Sequence, residues 1–280
     1  MTSARVSGHF LDGARGPIFV LRRGPPNARR SVLVVPPFAE EMNKCRRMIT
    51  LVALRLSESG IATVTPDLYG TGDSGGEFLE ADWDIWCDDV SRVSNWTVEN
   101  VGPLEGVLAI RLGGALAVAV AQGSGISGAR RTVFWQPLLD GKRFLNQFLR
   151  LRVAATMASG TQQSASELRR RLSSGKAIEV AGYELSPQLA DALEGVAPPA
   201  ALPPGLGEIL WAEASTGDDS ALPAPSQAAV DRYRAAGATL ETAVCAGEPY
   251  WSSTEIVVNW ELVDLTASFI GAERGAVGGP

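Results

Sequence analysis

Arg111 occupies the one position of this chain where a nucleophile would be expected. It lies in the stretch Gly106-Val-Leu-Ala-Ile-Arg-Leu-Gly-Gly-Ala-Leu-Ala117, an apolar run that turns at Arg111 and passes into an Ala/Leu-rich segment. That is the pattern of a nucleophile elbow, G-x-S-x-G, in which a strand bends sharply into a helix and holds a serine hydroxyl at the bend. Ala109 takes the place of the first glycine, Gly113 that of the last, and Arg111 that of serine. A guanidinium stays protonated at any relevant pH and cannot attack a carbonyl.

The rest of a Ser-His-Asp set would follow in the order nucleophile, acid, histidine. The acid slot falls after the predicted strand 208–214, where Asp218 and Asp219 stand. The histidine slot falls in Cys245-Ala-Gly-Glu-Pro-Tyr-Trp251, which has none, and His9 is the single histidine of the chain. The residue inventory alone excludes a standard triad. It also excludes metal sites built on several histidines, and no cofactor motif is present. His9 itself lies in a predicted N-terminal strand and reads as a structural or surface residue.

A buried cation at the start of a helix is opposed by the helix dipole. Arg111 therefore calls for a carboxylate or an anionic ligand. Glu40 and Glu41 follow the predicted strand 31–35, and Asp73 sits on a neighbouring loop. The expectation is a bidentate Arg111–Glu41 or Arg111–Glu40 pair. Arg111, Glu41 and Glu40 are thus the candidate catalytic residues, with Phe38, Asp73, Trp135, Trp251 and Cys45 as candidate substrate-binding residues around them. Trp135 and Trp251 fall at predicted strand ends, where they would stack on a sugar or line an acyl pocket. Arg46 and Arg47 would lower the pKa of Cys45, against the plainer reading of a helix cysteine. Asp67 and Asp73 suit turn formation. Gly70, Gly72, Gly75 and Gly76 do not make a phosphate loop, since no Gly-Lys-Ser/Thr follows.

These positions need elements to hold them. Predicted strands cover 5–11, 17–22, 31–35, 61–65, 103–110, 132–135, 208–214 and 239–245. Predicted helices cover 42–58, 81–98, 112–122, 226–236 and 254–271. Strand–helix alternation implies a mostly parallel, doubly wound sheet with ligands beyond the carboxyl ends of its strands. The pattern breaks over 140–204, where charged helices (143–157, 164–173) and a Pro/Ala-rich segment replace it. The reading is a sheet core (1–139 and 205–273), a helical cap (140–204) and a disordered tail (274–280). Trp83, Trp86 and Trp96 are most simply core. The basic stretches Arg143 to Arg152 and Arg169 to Arg171 give the cap a cationic side or a solvated face.

The 280 residues carry a net charge of −6 and are 45% hydrophobic, with a mean hydropathy of +0.06. An acidic balance argues against nucleic acid. No apolar run is long enough to span a membrane. Cys45, Cys87 and Cys245 form no CxxC pair, which makes a reducing cytoplasm the default.

Several segments together resemble one family. They are Pro36-Pro-Phe-Ala-Glu-Glu-Met-Asn-Lys-Cys-Arg-Arg47, Asp67-Leu-Tyr-Gly-Thr-Gly-Asp-Ser-Gly75, Ala81-Asp-Trp83, Arg111-Leu-Gly113, Gly182-Tyr-Glu-Leu-Ser186 and Gly247-Glu-Pro-Tyr-Trp251. The chain resembles the exosortase A system-associated hydrolase 2 group over about residues 5–270. The resemblance implies an α/β-hydrolase fold in a bacterium that exports exopolysaccharide, and partners from an exosortase system. The family name rests on fold and fixes no reaction. Two functions follow. One is hydrolysis or transfer of an ester, thioester or acyl group, with a carboxylate activating water and Arg111 holding an oxyanion. The other is a catalytically inactive fold that binds an anionic or glycan-like ligand or an export partner.

Overall fold

The computed structural model describes residues 4–158, 163–217, 221–253 and 255–272. Its core is an eight-stranded sheet in the order β1-β2-β4-β3-β5-β6-β9-β10. The strands are β1 (Arg5–Asp12), β2 (Pro17–Gly24), β3 (Ser31–Val35), β4 (Ala62–Pro66), β5 (Leu104–Ile110), β6 (Arg131–Trp135), β9 (Glu208–Ser215) and β10 (Leu240–Ala246). β1 pairs antiparallel with β2, and β2 with β4. All other pairings in the sheet are parallel. Every residue of β3, β4, β5 and β6 is buried. Short, apolar and β-branched strands of this kind suit a sheet covered on both faces.

Helices α1 (Glu40–Glu58) and α8 (Trp260–Gly271) cover one face, and α2 (Trp83–Asn100), α3 (Gly113–Gln122) and α7 (Ala224–Ala235) cover the other. α2 forms where Trp83, Trp86, Val90 and Val93 recur at helical spacing, and Asp82 caps it by accepting the Asp84 N–H at 2.8 Å. α8 begins at Trp260, later than the predicted 254. Asn259 sets that start, its Oδ1 accepting the Leu262 N–H at 2.9 Å.

Between β6 and β9 the chain leaves the sheet. It forms α4 (Gly141–Ala158), α5 (Ala165–Ser173), a β7 (Ile178–Val180)/β8 (Tyr183–Leu185) hairpin and α6 (Pro187–Gly195). The hairpin and α6 are additions to the sequence expectation. Phe144 and Phe148 of α4 pack edge-on against Phe38, with ring centres 4.9 and 5.0 Å away. Apolar residues of this excursion join those of α2 and α3 in one continuous cluster. The expected tail 274–280 lies outside the described residues.

Candidate functional site

β5 ends at Ile110, and Arg111 adopts a left-handed backbone with φ 55° before α3 starts at Gly113. A non-glycine residue there is strained. Ala39 (φ 49°) and Gln136 (φ 44°) share that conformation. The three residues follow the ends of the neighbouring strands β3, β5 and β6. Gly113 is demanded by space, because a Cβ there would lie 2.5 Å from the carbonyl oxygens of Val35 and Pro36.

The Arg111 side chain is buried, and each of its three nitrogens donates one hydrogen bond. Its Nε donates to Glu41 Oε1 at 3.0 Å, Nη1 to the Gln136 carbonyl at 3.4 Å and Nη2 to Gln147 Oε1 of α4 at 3.1 Å. Its Cζ lies 4.8 Å from the centre of the Trp251 ring. The pair with Glu41 is therefore single-toothed rather than bidentate, since the neighbouring donors go to the two glutamines. Glu40 forms no ion pair with Arg111. The second oxygens of Glu40 and Glu41, and the Tyr250 hydroxyl, are buried with no protein partner among the described residues. Burial pushes the Glu41 carboxyl up to about 7, although Arg111 pulls it down. Burial also raises Glu40.

Gln136 braces this cluster. Its Nε2 donates to Glu213 Oε2 at 3.1 Å, and its Oε1 accepts the Ala214 N–H at 2.9 Å. Glu213 also accepts the Trp211 indole N–H at 2.8 Å. Sequence reasoning missed Gln136, Gln147 and Glu213. Only Gln136 carried a signal, as the first residue of a loop at a strand's carboxyl end.

Several expected site residues fall elsewhere. Trp135 is wholly buried, donating to Thr266 Oγ1 at 2.8 Å and packing edge-on against Tyr250. Strand parity explains this: Val133 and Trp135 face α8, while Phe134 faces the opposite layer. Cys45 is also wholly buried, and desolvation pushes its thiol well up rather than down. A protonated core thiol is no nucleophile. Asp73 is exposed and contributes its backbone N–H to Asp67 Oδ2 at 3.0 Å. Asp218 and Asp219 lie outside the described residues. In the excursion between β6 and β9, Arg152 pairs with Glu179, Arg169 with Glu194 and Arg170 with Glu167, while Arg143 and Arg150 are exposed. His9 is bonded to Ser7 and packs against half-buried Trp96.

The cavity lies beside the elbow rather than at the guanidinium. It measures about 170 Å³. Phe38, Leu112, Leu116, Trp83, Trp86 and Tyr183 line it, and Arg46 and Asp67 contribute charge. Arg111 and Glu41 are not in its wall. Asp67 is buried and Arg46 is half exposed, with Nη2 and Oδ1 3.5 Å apart. Among the described residues, the Phe38 and Leu112 backbone N–H groups donate to no backbone acceptor. The positions after β3 and after the elbow residue are those that build an oxyanion hole in such an arrangement. No group of three or more His, Cys, Asp or Glu residues suited to a metal is present among the described residues. No helix among them is long and apolar enough to cross a membrane.

No protein-family model matches the chain, and no curated protein does. Solved structures do. The ferulic acid complex of Est1E from Butyrivibrio proteoclasticus superposes with a TM-score of 0.64 at 15% identity, over 94% of this chain and 96% of that one. This is the α/β-hydrolase fold. A putative hydrolase from Agrobacterium vitis S4 gives 0.62 at 13% identity, over 96% and 98%. An esterase from Pyrobaculum calidifontis gives 0.61 at 16%, over 95% and 84%. Within the α/β-hydrolase fold, the nucleophile slot of this chain holds Arg111, and the loop of the histidine slot holds Tyr250 and Trp251.

Proposed function

We propose that this chain uses the α/β-hydrolase scaffold as a non-covalent receptor for a small organic ligand, bound in the cavity formed by Phe38, Leu112 and the Trp83/Trp86 wall. The commitment of Arg111 carries this reading. Each of its nitrogens donates to one of Glu41, Gln136 and Gln147, Trp251 covers its face, and it takes no part in the cavity wall. A side chain so engaged holds the surrounding loops in place and attacks nothing. The ferulic acid bound to Est1E supports a small organic molecule as the ligand class. The motif resemblance supports a setting beside an exosortase-type export system, and the cysteine spacing supports a cytoplasmic location.

A second reading is hydrolysis of an ester, thioester or acyl group by water. Glu41 favours it, because a carboxyl titrating near 7 with a free oxygen suits a general base. Glu40 would stand in the same role, and Arg111 would steady the oxyanion. Short p-nitrophenyl esters separate the two. The receptor reading expects no turnover above buffer and ligand-dependent rises in melting temperature. Turnover that disappears in a folded Glu41→Gln variant would establish the second. A fluorophosphonate probe should label nothing at position 111 under either.

A further inference from the structure

We infer that the cavity beside the elbow selects a neutral, hydroxyl-bearing ring of about single-sugar size rather than a simple anion or cation. This rests on the receptor reading and names its ligand class. A volume of about 170 Å³ accommodates on the order of ten non-hydrogen atoms, counting roughly 10–15 Å³ of probe-occupied space for each water-sized group.

The polar wall decides the class. Arg46 and Asp67 both line the cavity and stand 3.5 Å apart. That is well beyond the usual charge-assisted length of about 2.7–2.9 Å. The Arg46 guanidinium makes no other hydrogen bond among the described residues. Asp67 Oδ2 takes the Asp73 N–H, leaving Oδ1 with only the long contact to Arg46. The wall therefore offers an unsaturated donor and an unsaturated acceptor side by side. A carboxylate placed on Arg46 would face the Asp67 charge. An ammonium placed on Asp67 would face Arg46. A hydroxyl avoids both conflicts, accepting from one group and donating to the other. Neighbouring hydroxyls on a ring would meet both groups at once.

The aromatic lining suits the body of such a ring. Trp83, Trp86 and Tyr183 present aromatic surface to the cavity. The Trp86 indole N–H is tied to the Tyr69 carbonyl at 3.0 Å, so that ring is held in place. Asn43 and Tyr183 meet at 3.4 Å and add further donors and an acceptor.

Titration calorimetry on the full chain tests this with glucose, galactose and mannose as neutral probes. Benzoate serves as an anionic ring without hydroxyls. Arg46→Met is the informative variant, because Arg46 is half exposed and its loss leaves the core intact. Asn43→Trp places bulk over the cavity from an exposed helix position. At least one hexose should bind with a millimolar Kd. Its affinity should fall about tenfold in Arg46→Met, equivalent to about 1.4 kcal/mol, and be lost in Asn43→Trp. Benzoate should bind more weakly than that hexose. Benzoate binding more tightly, and lost in Asn43→Trp, would overturn the ligand class while leaving the receptor reading standing. Hexose binding indifferent to both substitutions, or absent for all three sugars, would also overturn it. Ester turnover defeats the receptor reading by a separate measurement.

Discussion

Arg111 and Trp251 stack cation on ring, with the guanidinium carbon 4.8 Å from the indole centre. The contact joins the elbow residue to the loop that carries the histidine of a working triad. Both slots are thus filled by residues that bind each other. Glu41 and Gln147 complete the enclosure.

The two members of the buried ion pair should differ in what their loss costs. Glu41→Ala leaves a guanidinium in the interior without its charge partner, which costs about 3–5 kcal/mol. Arg111→Met removes the cation that holds the Glu41 carboxyl down, so burial drives its pKa higher still and it escapes the penalty by taking a proton. Its cost should be smaller, about 1–3 kcal/mol. The double change Glu41→Leu/Arg111→Met should recover most of either loss. Urea unfolding of the three variants measures this, and equal single losses would refute the asymmetry.

The same carboxyl gives stability a pH dependence of known sign. Glu41 titrates near 7 in the fold against an ordinary 4.5. Between those values the folded chain holds a proton that the unfolded chain has released. The stability contributed by this group therefore falls as pH rises across that window. Asp89, pushed up to about 6 by burial, acts in the same direction. Glu41→Gln has no proton to lose, so its stability relative to the parent should improve on going from about pH 5 to about pH 8. Urea midpoints of both proteins at the two pH values provide the check.

Restoring serine should not restore a hydrolase. In Arg111→Ser the hydroxyl would meet Tyr250 and Trp251 where a base is needed, and His9 lies on β1 at the sheet edge. p-Nitrophenyl acetate turnover should stay at the level of the parent protein. Loss of the Glu41 pair should meanwhile lower the melting temperature.

The tight approach of α3 to the end of β3 makes Gly113 intolerant of any side chain. Gly113→Ala forces a Cβ to within 2.5 Å of two carbonyl oxygens and should cost more than about 2 kcal/mol. Gly195, at the end of α6, has open space where a methyl group would sit, and Gly195→Ala should stay within about 1 kcal/mol of the parent. Thermal unfolding of the pair compares them directly.

How much of this was legible depended on periodicity. Strands such as Ser31–Val35 and helices such as Trp83–Asn100 announce themselves by buried runs and by three- and four-residue spacing. A mostly parallel, doubly wound sheet follows from that alternation, and the α/β-hydrolase fold from the motif resemblance. The β7/β8 hairpin and α6 were not legible, because three-residue strands and a nine-residue helix are too short to set a period. Trp135 was misplaced because a position at a strand's end says nothing of face until parity is counted through Phe134. The charge demand of Arg111 pointed to a neighbouring carboxylate, and Glu41 stands there. It could not reveal Gln147, which reaches the guanidinium from an element 36 residues further along the chain.

The core that runs unbroken from the sheet into the excursion between β6 and β9 has a kinetic meaning. Phe38 packs on Phe144 and Phe148, and Arg111 is bonded to Gln147. The excursion is thereby fastened to the sheet by an aromatic cluster and a buried charge, and cannot lift away without exposing both. Lifting this excursion would therefore be a slow, collective event rather than a local side-chain motion.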